Sequence, residues 1–258
     1  MPLIELPFDP LNWLFAFLRA SALMLVFPLF SASNFPVQMR VALGALTSFL
    51  VASLLPPPPH VTHFITLLAL MIMEICVGLL LGFVSRFVFY AVDFAGGLIT
   101  TTVGLQFSPN PDPFTSTSTQ APGLVLFWLA GMLMFGLNAH HWVLIAFARS
   151  FEAVPIGGAH WHEALLVEVI NRSGLIFSVA LQMSAPMIAV SFVITLMFSI
   201  LGRAVPQMNV FTESFSVRTL VGLAIFGLTL NLMAQHLLSF MRRMPDDLMR
   251  VARLLGLP

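Results

Sequence analysis

Two stretches of this chain, Leu124–Ala148 and Ser173–Leu201, contain no charged residue at all. Each is longer than the roughly 20 apolar residues that cross the hydrocarbon core of a bilayer. Four further apolar runs share their character. Leu11–Phe30 carries Arg19 inside it and Pro28 near its end. Val41–Leu55 is stopped by Pro56-Pro57-Pro58-Pro59, a stiff polyproline turn. Phe64–Tyr90 contains Glu74 and Arg86, and Thr219–Met241 precedes the basic tail RRMPDDLMRVARLLGLP. The expected fold is all-α: a polytopic membrane bundle of about six long helices arranged as hairpins, with a central non-helical loop. No soluble domain and no internal repeat is read. Pro186 predicts a kink in the fifth span, and the tail predicts an amphipathic piece lying on the membrane surface.

The charge count supports this class. Charged residues make up 9% of the chain and hydrophobic residues 59%, against roughly 25% charged in a soluble domain. The formal net charge is zero, which argues against nucleic acid, since phosphate binding needs a basic face to displace counterions. Cys76 has no second cysteine to pair with. The N-terminus, MPLIELPFDP, has no basic residue before Arg19, so no cleavable signal peptide is read there. Arginines in the tail place the C-terminus in the cytoplasm by the positive-inside rule. The acidic N-terminus points to the other side, which six full crossings do not allow.

Between the third and fourth spans lies QFSPNPDPFTSTSTQAPG, residues 106–123. Pro109, Pro111 and Pro113 alternate and forbid helix. Asn110 and Asp112 are turn formers. Two readings fit: a surface loop in water, or a re-entrant loop lining or blocking a pore, because irregular backbone survives at membrane depth only in protein or beside water. Phe107 and Phe114 at the rims of the polar run favour the second.

Other constellations hold residue types that can carry chemistry. His140-His141 and the pair His160/His162 with Glu163 hold metal-ligand types. They are read as headgroup-level residues instead, since adjacent helical histidines diverge. No cofactor is expected. Glu74, Arg86 and Asp93 are costly inside or beside a span and need partners. Seven residues apart on one helix, Arg86 and Asp93 would share a face. A proton relay is one reading; a structural ion pair or subunit contact is the better one. Without a GxSxG elbow or a phosphate-cradling glycine loop, the chain is not expected to be an enzyme. Gly78 and Gly82, in GLLLG, predict close helix packing, continued by Gly96, Gly97 and Gly104 and by Gly131 and Gly136 in the next span.

LGRAVPQMNVFTESFSVRTLVGL, residues 201–223, resembles the signature of the FliR family, the R subunit of the bacterial flagellar export gate. PLFSASNFPVQMRVALGALTS, residues 28–48, and GLNAHHWVLIAFARSFEAVPIG, residues 136–157, resemble it too. The chain departs from the family's glycine-phenylalanine-proline turn at Glu213-Ser214-Phe215-Ser216-Val217. The resemblance implies a noncatalytic subunit of the type III protein export gate in the bacterial inner membrane and flagellar basal body. Its partners would be P-type and Q-type subunits, the switch-type B subunit, the lipid membrane and unfolded flagellar export substrates. Residues 1–148 would be P-subunit-like and 173–241 a Q-subunit-like hairpin within one domain, 1–258. The plug would comprise Gln106, Phe107, Ser108, Pro109, Asn110, Pro111, Asp112, Pro113, Phe114, Thr115, Thr117 and Thr119 of the loop 106–123. Glu74, Arg86, Asp93, Gly202, Arg203, Pro206, Gln207, Asn209, Phe211 and Arg218 would be structural or subunit-contact residues. An R-type subunit of a virulence injectisome, or a secondary transporter, are the alternatives.

Overall fold

The computed structural model describes residues 9–31, 35–57, 63–105, 121–205, 207 and 209–257. Among them are helices and turns only. The helices are α1 (Pro10–Val26), α2 (Pro28–Ser31), α3 (Val37–Ala52), α4 (Phe64–Ser85), α5 (Phe87–Val103), α6 (Ala121–Gly136), α7 (Ala139–Ala153), α8 (Glu163–Ala204), α9 (Val210–Met241) and α10 (Met244–Leu255). The protein is an all-α polytopic membrane protein. Three runs among the described residues are long and apolar enough to cross a membrane: Phe64–Ser85, Glu163–Ala204 and Thr212–Leu255. The apolar helices α1, α3 and α5 have 17, 16 and 17 residues. At 1.5 Å per residue they reach only about 25 Å, short of a hydrocarbon core of about 30 Å.

Local chemistry explains most of these limits. Asp9 caps α1, its carboxylate accepting the Leu11 N–H at 2.9 Å. The first expected span stops early because Phe27, extended at φ −63°, ψ 127°, precedes Pro28. The fourth expected span is interrupted at Asn138, whose left-handed φ of 53° an asparagine tolerates. Helix α8 runs unbroken through Pro186. The third expected span ends as a helix at Arg86, so Arg86 and Asp93 do not lie on one continuous helix as their spacing predicts.

The chain forms two compact units. The first comprises Met1–Phe87, Asn138–Arg172 and Arg243–Pro258. Here α1 packs on α3 and α4, burying Phe15, Ala16, Ala20 and Leu23. Glycine sets the approach: a Cβ added at Gly82 would lie 2.8 Å from the Leu23 carbonyl oxygen and 2.9 Å from Val26 Cβ, and one at Gly78 would run into the Arg19 carbonyl. The apolar face of α10, Met244, Leu248, Val251 and Leu255, is buried, with α7 and α4 as its packing partners. The tail helix is amphipathic because it docks on protein, which corrects its expected placement on the membrane surface.

The second unit comprises Val88–Leu137 and Ser173–Arg242. In it α5 and α6 approach closely, since a Cβ at Gly96 would stand 2.5 Å from the Gly123 Cα. Gly97, Gly131 and Gly136 have open space where a Cβ would go. They do not extend the close packing as expected.

Candidate functional site

Three sites follow from the residues singled out. The first is buried in the first unit. Arg19 on α1 and Glu74 on α4 are both sealed from solvent and pair through Nε–H and Oε2 at 2.6 Å. The rest of the guanidinium is satisfied too. Its Nη1 donates to Ser150 Oγ at 3.0 Å and its Nη2 to the Val154 carbonyl at 3.1 Å. Its carbon lies 3.9 Å from the centre of the Phe151 ring, within cation–π range. Glu74 Oε1 accepts the Gly157 N–H at 3.2 Å. One ion pair thus ties α1 and α4 to the end of α7 and the turn after it. Glu74 has its partner inside the chain, and so has Arg19. Sequence reasoning grouped Glu74 with Arg86 and Asp93 instead; the missed signal was that Arg19 and Glu74 are opposite charges, each alone near the middle of an apolar helix.

Arg86 caps α4, and its Nη1 lies 3.5 Å from the carbonyl of Val26 in the last turn of α1. A cation suits a helix C-terminus. Asp93 is exposed on α5. His140 and His141 do not diverge: their ring centroids are 4.2 Å apart. A second ionic cluster joins α8 to α10. Arg172 pairs with Glu168 at 2.8 Å and with Asp247, and Arg250 reaches Glu168 at 3.0 Å. Arg250 figures in the sequence reading only as one of the tail arginines; Arg172, Glu168 and Asp247 were not singled out there.

The second site is the root of the polar loop. Gln106, Phe107, Ser108, Pro109, Asn110, Pro111, Asp112, Pro113, Phe114, Thr115, Thr117 and Thr119 lie outside the described residues; Ala121, Pro122 and Gly123 open α6. The departure point is held firmly within the second unit. Ser191 Oγ on α8 donates to the Thr102 carbonyl at 2.9 Å, and Thr219 Oγ1 on α9 donates to the Val103 carbonyl at 3.1 Å. Two C-terminal carbonyls of α5 that no further helical turn would satisfy are thereby paired. Gly104 then turns left-handed at φ 86°, and a Cβ there would meet the Phe215 ring at 3.0 Å. Gly222 lets α9 approach, since a Cβ would lie 2.8 Å from Val103 Cγ2.

The third site is the hairpin of α8 and α9. Pro206 and the side chain of Phe211 lie outside the described residues. Arg203, Gln207 and Asn209 are exposed. Asn209 caps α9, its side-chain oxygen accepting the Thr212 N–H at 3.4 Å. Gly202 gives the turn room, because a Cβ would stand 2.6 Å from Val210 Cγ2. Arg218 Nη2 donates to Thr195 Oγ1 at 3.0 Å.

None of the three sites is arranged as a nucleophile with its base. They are helix anchors, a loop root and a turn, which suits a protein that assembles. Residues 11–244 match the family described as bacterial export proteins, family 1. The flagellar biosynthetic protein FliR of Pectobacterium carotovorum subsp. carotovorum is 30% identical over 238 residues, covering 90% of this chain and 91% of the relative. This chain belongs to the FliR family. The FliR protein of Escherichia coli (strain K12) is 28% identical over 236 residues, covering 89% of this chain and 90% of the relative. That of Bacillus subtilis (strain 168) is 29% identical over 212 residues, or 81% and 82%. As a FliR-family member the chain is related along nearly its whole length, so the buried pair, the loop root and the hairpin turn all fall within the matched region.

Proposed function

We propose that this FliR-family chain is the R-type subunit of the flagellar type III protein export gate, seated in the bacterial inner membrane within the basal body. It assembles with P-type and Q-type subunits into a conduit for unfolded flagellar proteins. Residues 1–148 take the P-like role and 173–241 the Q-like role, and the turn around Gln207 and Asn209 meets the switch-type B subunit. Segment 106–123 plugs the resting conduit.

The observation that carries this reading is the relationship to flagellar biosynthetic proteins named FliR over about nine-tenths of both chains. The physical chemistry agrees with it. Helices α1, α3 and α5 are too short to span lipid unaided, yet they leave large apolar side chains open, among them Leu50 and Leu46 on α3. Neighbouring subunits would cover them. The plug reading draws on the loop's composition and on its root. Hydroxyls from Thr115 to Thr119 suit a wet wall, alternating prolines prevent helix, and α8 and α9 hold the departing chain at Thr102 and Val103. A seal that yields to a passing chain is held weakly, by hydrogen bonds each worth about 1 kcal/mol net.

The test is to replace Ser108–Gln120 with a Gly-Ser linker in the co-expressed complex. The complex assembles and leaks ions and small dyes. Normal assembly with a wild-type seal sinks the plug; failure to co-purify wild-type chain with P-type and Q-type subunits sinks the whole reading.

A further inference from the structure

Arg19 is buried, and Arg172 and Arg218 are half-buried, so the three show how the chain treats a guanidinium it encloses wholly or in part. Arg19 directs its donors to a carboxylate, a hydroxyl and a carbonyl. Arg172 holds two carboxylates. Arg218 does neither. Among the described residues it is in no ion pair. Its Nη2 donates to the neutral Thr195 hydroxyl, and its Nε is closed off and makes no hydrogen bond. Glu213, the nearest acid on α9, is five positions earlier and so about 140° round the helix. A guanidinium carries five donors and a full charge. Left this way at the edge of an apolar helix pair, it is costly unless something arrives to complete it.

The surroundings define what fits. Thr195, which the guanidinium reaches, is exposed on α8 and already donates to its own Ser191 carbonyl at 2.7 Å. It asks for nothing itself. Beside it on α8, Phe192 is 61% exposed, Val193 62% and Leu196 48%. A visitor to this face must therefore be apolar along its length and anionic at one point. Carboxylate matches the guanidinium fork best, through paired charge-assisted hydrogen bonds.

We infer that Arg218 is the docking point for an Asp or Glu carboxylate carried on an apolar helix of another subunit, which lies against α8 at Phe192, Thr195 and Leu196. The inference rests on the reading that the chain works inside an assembly. Charge complementarity selects the occupant: lipid tails would leave the cation uncompensated and water would leave the apolar side chains uncovered, while a helix with one acid neutralises the one and covers the others together.

The sequence offers a clean probe, because the chain contains no lysine. In Arg218→Lys the new amine is the one side-chain amine of this subunit. The assembled complex is treated with a zero-length carbodiimide, which joins amine to touching carboxylate, and the joined peptides are read by mass spectrometry. The expected product links that amine to an Asp or Glu within an apolar segment of a different subunit. Arg218→Gln should reduce co-purified partner at least tenfold, and reversing the mapped acid to Arg should restore it in Arg218→Glu. Should Arg218→Lys not assemble, Thr195→Lys places the amine at the same spot with Arg218 intact. A link to Asp112 or another acid of the same chain, a link to a second copy, or an intact complex with no link overturns the inference. So does wild-type assembly of Arg218→Gln. A wild-type chain that is stable and monomeric overturns the assembly reading itself, and is distinguished by being seen before any substitution is made.

Discussion

Arg19 and Glu74, 55 positions apart, meet at 2.6 Å with neither side chain open to solvent. Such a pair is two-sided: it barely offsets the desolvation of its charges, but either charge left alone is strongly destabilising. Arg19→Met or Glu74→Gln should each cost about 3–5 kcal/mol, the range for breaking a buried pair. The double change Arg19→Met/Glu74→Leu should recover most of that loss. Thermal unfolding of the purified complex checks this; equal losses in single and double variants would mean the pair is not the source.

Close packing of α1 on α4 gives a second expectation. Gly78→Leu must force the helices apart, because even a Cβ there collides with the Arg19 backbone. The cost is that of overpacking, about 1–3 kcal/mol or more. Gly131→Ala meets open space and removes a flexible residue from a helix, so it should be neutral to stabilising by about 0.5–1 kcal/mol. Resistance to limited proteolysis ranks the two, and a reversed order refutes the packing argument.

The cluster around Arg172 fastens the tail helix. Arg172→Ala strips Asp247 and Glu168 of their shared partner. These side chains are 12–19% exposed, so the effect is tempered by solvent to about 1–2 kcal/mol. The measurable consequence is faster cleavage at the C-terminal end, from Arg243 on, with the other helices still protected. Unchanged cleavage would show that the apolar face of α10 holds it unaided.

What the sequence disclosed depended on whether the cause was local. Apolar run length made the membrane class and the long helices α8 and α9 legible, and Pro28 and Gly82 carried their own explanations for a break and a close approach. The end of α4 at Arg86 has neither proline nor glycine to announce it. The tail's amphipathic pattern was visible, but a lipid surface and a protein groove ask for the same pattern, so only the packing of α10 on α7 decides between them. Arg19 and Glu74 were visible as charges. Their pairing was not, since contact across 55 positions is set by how α1 and α4 cross. The GLLLG glycines and Gly131 look alike in sequence; only the neighbour each faces separates them.

The last expectation concerns the root of segment 106–120. Gly104 sits at φ 86°, a conformation costing an L-residue about 1–2 kcal/mol. A Cβ there also presses on the Phe215 ring at 3.0 Å. Gly104→Ala therefore meets two separate penalties, backbone strain and a clash with α9. Phe215→Ala removes the second and leaves the first. In a double-mutant cycle, Gly104→Ala should be less harmful in the Phe215→Ala background than in wild type. The readouts are thermal stability of the complex and leakage of a small dye. If the clash moves the point where the segment leaves α5, leakage rises in Gly104→Ala and falls back in the double variant. A rise that Phe215→Ala does not relieve would locate the fault in backbone conformation alone. No change in either readout would mean that the loop's seal is set elsewhere than at its root.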